Sequence, residues 1–179
     1  MRGAPDFYNR RKGFEFGRDR SGPAGVKIER RVGVQAPAAV VWEIIHDVAR
    51  WPEWNPVYPK AEGAVRIGEA LTLTRALPGQ PHKVIQPVVL DWTPNELLHL
   101  KLSTLGGMAL VTCYWEIDAL AEASCIFSSG ELYTGWLGPG AARSIRGSLR
   151  RGFAAVCEAM KARAEAAWRA QGGAPTSEP

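Results

Sequence analysis

The hydrophobic and polar positions of the chain follow two periods. Apolar residues alternate with polar ones over residues 26–34 and through most of residues 60–133, which is typical of strands with one buried face. Over residues 37–48 and 139–171 the apolar positions recur every three or four residues, which is typical of amphipathic helices. The pattern predicts a strand, a helical region, a group of strands and a terminal helix, in that order.

The helical region is expected to contain two pieces within residues 36–59. Apolar side chains recur at helical spacing after Pro37, which suits a first helical turn because its missing N–H has no partner there anyway. Three further prolines prevent a long continuation: Pro52, Pro56 and Pro59. Trp51 and Trp54 lie among them and are too apolar to be left in water. We therefore predict a short, kinked second helix whose indoles plug one end of the core.

Turn signals divide the alternating region into six short strands. We predict them near residues 60–67, 70–77, 82–92, 97–104, 109–119 and 123–133. Connections this short imply antiparallel neighbours, since parallel strands need crossovers of about a dozen residues or more. Pro87 lies inside the third strand and cannot donate to a ladder, which favours a sheet edge or a bulge there.

One long helix is predicted from Pro139 to Gln171. Its apolar stripe consists of Ile145, Leu149, Phe153, Val156 and Met160. Gly147 and Gly152 each cost roughly 1 kcal/mol of helix propensity relative to alanine. We therefore expect close packing or a slight bend at these two positions.

Together these elements predict an α+β fold. A sheet with one face in water must cover its other face, and the terminal helix is the only element long enough to do so. We expect a curved antiparallel sheet of about seven strands wrapped around the long C-terminal helix, with two short helices between the first and second strands. Side chains need not fill the space between a bent sheet and a helix, so an internal cavity is the expected consequence.

Composition and charge narrow the classes of partner. The 179 residues are 46% hydrophobic and 22% charged, as in globular proteins, and no apolar run is long enough to span a bilayer. Of the net charge of +4, residues 1–25 contribute +3, from six basic and three acidic side chains, and residues 139–171 carry seven basic against two acidic residues. This charge lies on a tail and one helix, so we expect no nucleic-acid partner. Because no apolar run could span a bilayer, we also expect no stable membrane insertion.

The ends of the chain and the cysteines give further expectations. We predict a flexible basic arm over residues 1–25, a single domain over 26–171 and a disordered tail over 172–179. Three cysteines are odd in number and lack C-x-x-C spacing: Cys113, Cys125 and Cys157. No apolar secretory segment is visible near the N-terminus, so we expect reduced, buried thiols in a cytoplasmic protein. The sequence leaves open whether the protein forms a homodimer.

The order of these elements also resembles a known family. The segments PAAVVWEIIHDV, WPEWNP and GELYTGWLGPG, followed by a long helix, resemble the SRPBCC superfamily, also called START-related or helix-grip, over about residues 26–165. Within it, the chain is similar to the bacterial polyketide cyclase/dehydrase-like branch. The resemblance implies a helix-grip, ligand-binding domain that holds a hydrophobic lipid-like or polyketide-like molecule. It also implies histidines at the positions of Cys113 and Ser129, and both histidines are absent here.

Strand parity identifies a candidate site independently of this resemblance. On residues 109–119 the apolar set that contains Trp115 is expected to face inward. On the next strand the same alternation of side chains predicts that Glu131 and Tyr133 face inward. Burial favours the neutral form of a carboxyl group, and a neutral carboxylic acid can donate a proton or a hydrogen bond to a ligand carbonyl. We predict Glu131 and Tyr133 as catalytic candidates. The alternative is that Glu131 reaches water or pairs with an arginine of the terminal helix.

Aromatic side chains are the other candidates for the cavity. We predict that its lining or gate is formed by Trp54, Trp115, Glu131, Tyr133, Trp136 and Phe153. Trp136 lies in the glycine-bracketed loop TGWLGPG, which suits either a lid over the cavity mouth or a hydrophobic cap on the helix start. His99 shares strand parity with Lys101 and is expected to face solvent.

Three arginines follow this loop at the start of the predicted helix. Arg143, Arg146 and Arg150 would suit a ligand with an acidic head group, because a helix N-terminus already favours anions. A solvated helix face explains the same residues.

Three functions are compatible with these features. The first is binding of a small hydrophobic or amphipathic ligand in the cavity. The second is a polyketide cyclase or aromatase that uses Glu131 as acid or base, with Tyr133 assisting. The third is a protein-interaction domain without a ligand, which would use the arm and the basic helix. No glycine-rich phosphate loop, H-E-x-x-H or G-x-S-x-G is present, so we expect no cofactor and no metal.

Overall fold

The computed structural model describes residues 25–173, so the predicted arm and tail lie almost entirely outside the described residues. Strands in this range are β1 (Val26–Val34), β2 (Lys60–Glu62), β3 (Thr72–Arg75), β4 (Lys83–Ile85), β5 (Val88–Thr93), β6 (Leu97–Thr104), β7 (Ala109–Ala121) and β8 (Ser124–Thr134). The α-helices are α1 (Ala38–His46), α2 (Gly138–Ser144) and α3 (Arg146–Ala170). Two 3₁₀ helices are η1 (Val48–Glu53) and η2 (Leu105–Gly107).

The strands form two antiparallel sheets. The larger has the order β1-β8-β7-β6-β5 and the smaller has the order β2-β3-β4. Val26 lies opposite Tyr133 and Val34 opposite Cys125, so the first and last strands of the chain are neighbours. The predicted α+β helix-grip fold, with a curved antiparallel sheet and a long C-terminal helix, is confirmed.

Helix α3 covers the inner face of the large sheet. It packs on β1 and β8 and buries Leu149, Phe153, Val156 and Met160 of the predicted stripe. A Cβ on Gly152 would lie 3.0 Å from Leu77 Cδ2 and 3.2 Å from Val57 Cγ2, so close packing at this glycine is confirmed. The helix begins later than predicted, because Ile145 has φ −117° and ψ 14° and separates α2 from α3. This break lets α2 pack against the ends of β7 and β8 while α3 runs along the sheet.

The predicted strand over residues 82–92 is in fact two strands. Pro87 lies between β4 and β5, which belong to different sheets. Its carbonyl accepts a hydrogen bond from Leu71 N at 2.9 Å, and the register of β5 shifts between Val89 and Asp91. The missing N–H of proline therefore marks the point where the chain leaves one sheet and enters the other.

The tryptophan plug is present between α1 and the sheet. Trp51 is fully buried in η1 and donates its indole N–H to the carbonyl of Ile45 at 2.9 Å. This bond satisfies a carbonyl in the last turn of α1, which has no partner within the helix. The Trp51 ring meets Trp115 of β7 edge-on, with centroids 4.5 Å apart.

None of the helices within residues 25–173 is both long and apolar enough to cross a bilayer.

Candidate functional site

A buried carboxyl group lies at the centre of the inner face of the large sheet. Glu131 of β8 is 1% exposed and is surrounded by three donors. The Tyr133 hydroxyl donates to its Oε2 at 2.6 Å, and Arg75 Nη1 lies 3.3 Å from its Oε1. The Cys113 thiol donates to Oε1 at 3.5 Å. Arg75 can only donate, and the Tyr133 hydroxyl and Cys113 thiol are placed as donors, so this geometry favours Glu131 as a hydrogen-bond acceptor.

The cation beside Glu131 is Arg75, which belongs to β3. The alternative that an arginine of the terminal helix pairs with Glu131 is therefore wrong. Arg75 is largely buried, and burial by itself would lower the pKa of its guanidinium group. The negative charge of Glu131, together with smaller contributions from Tyr58, Tyr133 and Cys113, outweighs this effect and raises the pKa of Arg75. The two groups therefore form a charged pair with little access to water.

The other polar groups of the site are held in their neutral forms. Burial raises the pKa of the Cys113 thiol well above its usual range, and the negative charge of Glu131 adds to this effect. Burial also raises the pKa of Tyr58 and of Tyr133. The site therefore combines the Glu131–Arg75 pair with two neutral tyrosine hydroxyls and a neutral thiol.

A small void adjoins this cluster. Its volume is about 20 Å³, room for about one water molecule. It lies between strands β6, β7 and β8, the segment after η1, and α3. Its lining consists of Val57, Tyr58, Leu98, Leu100, Cys113, Tyr114, Trp115, Ser129, Gly130, Glu131, Phe153 and Val156. The wall is therefore mostly apolar, with one glutamate, two tyrosines, one cysteine and one serine as its polar residues.

Four of the six predicted lining residues lie at this site. Trp115, Glu131 and Phe153 line the void, and Tyr133 lies behind the lining, where it donates a hydrogen bond to Glu131. The Trp115 indole N–H donates to Ser129 Oγ at 3.0 Å, which fixes its ring against the wall.

The other two predicted residues lie elsewhere. Trp54 is buried beside Trp115, with ring centroids 6.1 Å apart, but it lines a separate surface groove of about 490 Å³ between α1, η1 and α3. Its indole nitrogen has no hydrogen-bond partner among the described residues. Trp136 is 77% exposed and is not among the residues that line the void.

Sequence reasoning did not single out Arg75 and Tyr58 for this site. A signal for the arginine was present, because Arg75 shares strand parity with Leu71, Leu73 and Leu77, which are all buried. An arginine in an inward-facing apolar series indicates a buried partner of opposite charge. Tyr58 lies in the irregular segment after η1, where no periodicity predicts the direction of its side chain.

The outer face of the sheet holds a second polar cluster. The prediction that His99 faces solvent is wrong, because it is only 8% exposed. Its Nε2 lies 3.1 Å from Glu116 Oε1 and its ring meets Tyr114. The hydrogen bond with His99 lowers the pKa of Glu116. The long side chains of Tyr114 and Glu116 on the adjacent strand β7 therefore cover an imidazole that strand parity alone places in solvent.

Neither cluster offers a metal centre. Within residues 25–173, no three His, Cys, Asp or Glu side chains converge on a point where an ion could be held. The chemistry that the inner site can perform is proton transfer and hydrogen bonding in an apolar surrounding.

The family follows from a comparison of the whole sequence. A family model described as "Polyketide cyclase / dehydrase and lipid transport" matches residues 25–165. The chain belongs to this family. The predicted membership of the SRPBCC superfamily and its polyketide cyclase/dehydrase-like branch is thereby confirmed. No curated protein sequence matches the chain significantly.

Solved structures of this family's fold resemble the chain at low sequence identity. The Zhui aromatase/cyclase from Streptomyces sp. R1128 has 20% identity and a TM-score of 0.68, over 84% of this chain and 99% of that one. A START superfamily protein from Mycobacterium smegmatis has 18% identity and a TM-score of 0.62, over 79% and 98%. Norcoclaurine synthase from Thalictrum flavum has 18% identity and a TM-score of 0.61, over 80% and 96%. At these identities the likeness shows the fold and leaves the activity open.

Proposed function

We propose that this protein binds a small hydrophobic or amphipathic molecule, lipid-like or polyketide-like, between the large sheet and α3. The observation that supports this most is the buried Glu131 carboxylate on the wall of an apolar void. A buried charge pair usually adds little stability compared with apolar residues of similar volume. Groups of this kind, in an otherwise apolar surrounding, are typical of sites that recognise a ligand.

The site favours a ligand with one polar end. Leu98, Leu100 and Phe153 offer apolar contacts, while Glu131 accepts and Tyr58 can donate hydrogen bonds. A void of about 20 Å³ holds only a water molecule, so a larger ligand must displace lining side chains or move α3 outward. Binding should therefore be accompanied by local rearrangement, and the free protein is expected to be in the closed form.

The second candidate function is a polyketide cyclase or aromatase. The hydrogen-bonded Glu131–Tyr133 pair specifically favours it. In such a reaction the Glu131 carboxylate removes a proton from a carbon between two ketones, and Tyr133, whose hydroxyl donates to Glu131 Oε2, holds the carboxyl group in place. The enolate carbon then attacks a second carbonyl of the same chain, and the resulting alkoxide takes up the proton that Glu131 had removed. The family description includes cyclases, and the Zhui structure is that of an aromatase/cyclase.

The three free, buried cysteines suit a reducing compartment, and we propose a cytoplasmic location on this basis.

The proposed ligand-binding domain comprises residues 26–171. A partner-binding domain without a ligand is the outcome to expect if the interior never opens.

Mass spectrometry of the protein purified from its native host tests the proposal. Under non-denaturing conditions we expect a mass excess that disappears on denaturation, when the hydrophobic ligand is released. Calorimetric titration with 1-naphthol provides a defined probe, because its hydroxyl can donate to Glu131. The Glu131→Gln variant should bind this probe about tenfold more weakly or worse, since a hydrogen bond to a charged acceptor is lost.

The matched control is Glu116→Gln, a glutamate of the neighbouring strand that faces away from the void. It should bind 1-naphthol like the unchanged protein. Equal affinities for all three proteins would remove Glu131 from the site, and a protein that carries no ligand and binds no probe would contradict the proposed function.

A further inference from the structure

Three exposed apolar side chains lie on two neighbouring loops at one end of the large sheet. Leu105 and Met108 follow β6 and are 51% and 47% exposed, and Trp136 follows β8 and is 77% exposed. The loops touch, because the backbone N–H of Leu137 donates to the carbonyl of Met108 at 3.1 Å. We call Leu105, Met108 and Trp136 the apolar tip.

The apolar tip is followed by exposed cations. Arg143 lies in the last turn of α2, and Arg146 and Arg150 lie one turn apart on the same side of α3. Arg146 lies ten residues after Trp136, and α2 forms seven of the residues between them. None of the three arginines forms an ion pair with a carboxylate among residues 25–173.

Carboxylates are absent from the two segments that carry the apolar tip and the three arginines. The sequence contains no aspartate or glutamate over residues 132–157, nor over 97–115. The charges on these two segments are therefore all positive, whereas Arg66 and Arg163 elsewhere on the molecule each pair with a glutamate. Cations without an acidic neighbour on their own segment, beside exposed apolar side chains, are complementary to an anionic surface.

Stability of the free protein does not explain this arrangement. Arg146 lies in the first turn of α3, where the positive end of the helix dipole makes a cation unfavourable, and this turn holds no acidic residue. An exposed tryptophan beside two other exposed apolar side chains also gains little from folding. Both features become favourable if a negatively charged, partly apolar surface covers them.

We propose that the apolar tip and Arg143, Arg146 and Arg150 form a docking surface for an anionic lipid bilayer. Side chains that project from loops can enter the interfacial layer of a membrane, where tryptophan is preferred. Arginines that follow the tip then contact lipid phosphates and the negative surface potential. The tip adjoins the Tyr133 end of β8, so docking would bring the internal site near a source of amphipathic molecules. The docking itself does not depend on Glu131.

Flotation of the full-length protein with vesicles tests this surface. Phosphatidylcholine vesicles should carry little protein, and vesicles with about 30% phosphatidylglycerol should carry it strongly at 50 mM and weakly at 500 mM salt. Trp136→Ser should lower the partition coefficient for anionic vesicles roughly tenfold. Each of Arg143→Gln, Arg146→Gln and Arg150→Gln should lower it about fivefold.

Matched controls lie elsewhere on the molecule. Leu120→Ser changes a 64% exposed side chain near the opposite end of the β7–β8 hairpin, and Arg169→Gln changes an arginine at the other end of α3. Both should bind vesicles like the unchanged protein. The proposal is overturned if the protein does not float with anionic vesicles, or if the controls lose as much binding as the tip variants. Concentration-dependent dimerisation that Trp136→Ser abolishes, without any vesicle binding, would assign the tip to a second copy of the chain and equally overturn it.

Discussion

Replacing Arg75 by methionine should lower the free energy of unfolding by about 3–5 kcal/mol. The substitution leaves the Glu131 carboxylate buried without its cation, and an uncompensated buried charge is far more costly than the loss of the pair itself. Urea denaturation of the full-length protein, monitored by circular dichroism, measures the difference. Adding Glu131→Gln to Arg75→Met should restore part of the loss, since the charge that lacked a partner is then gone.

The exposed Arg66–Glu69 pair is the matched control for this experiment. Both of its side chains are largely in solvent, and such pairs contribute about 0–1 kcal/mol. Arg66→Met should therefore change stability by less than about 1 kcal/mol. If Arg75→Met costs no more than Arg66→Met, the carboxylate is not a buried charge and the description of the site is wrong.

Trp51→Ala should also cost about 3–5 kcal/mol. This indole is fully buried, meets Trp115 edge-on and satisfies the carbonyl of Ile45, so its removal leaves both a cavity and an unpaired acceptor. Thermal and urea unfolding report the loss. Trp51→Phe keeps most of the ring and loses the hydrogen bond, so an intermediate cost of about 1–3 kcal/mol is expected.

A tryptophan in solvent provides the comparison. Trp136→Ala removes the same atoms from a site that is mostly exposed and should change stability by about 0.5 kcal/mol or less. Equal losses for the two alanine variants would mean that the packing of η1 against β7 does not stabilise the fold.

The predictions from the sequence were most accurate where the local period of apolar residues determines the structure. The bounds of β1 were predicted correctly, and the inward direction of Trp115, Glu131 and Tyr133 followed from the two-residue repeat of a pleated strand. The pairing of β1 with β8 joins residues about one hundred positions apart, and no local pattern determines such a partner.

The parts of the site that were missed depend on such distant neighbours. Arg75 shares its parity with buried leucines, but only the approach of β3 to β8 shows that Glu131 is its partner. His99 lies on the outer face as its parity indicates, and is buried because Tyr114 and Glu116 of the adjacent strand cover it. The break at Ile145 likewise depends on the packing of α2 against strand ends. In each case tertiary contacts decide what periodicity leaves open.

Because the void is small, the proposal that a ligand binds between the large sheet and α3 predicts a movement that can be measured. About 20 Å³ is enough for a water molecule but not for a lipid or a ring system, so ligand binding requires the apolar wall to move. Lining residues on β6 and α3 should report this movement directly, because they contact the void from opposite sides.

Methyl NMR of the full-length protein, titrated with 1-naphthol, is the most direct measurement of this claim. The account predicts saturable shifts of the Leu98, Leu100 and Val156 methyl signals, while those of the exposed Val84 and Leu120 stay unchanged. Shifts confined to exposed methyl groups, or no shifts at saturating probe, would show that the interior between the sheet and α3 is closed to ligands and would contradict the account.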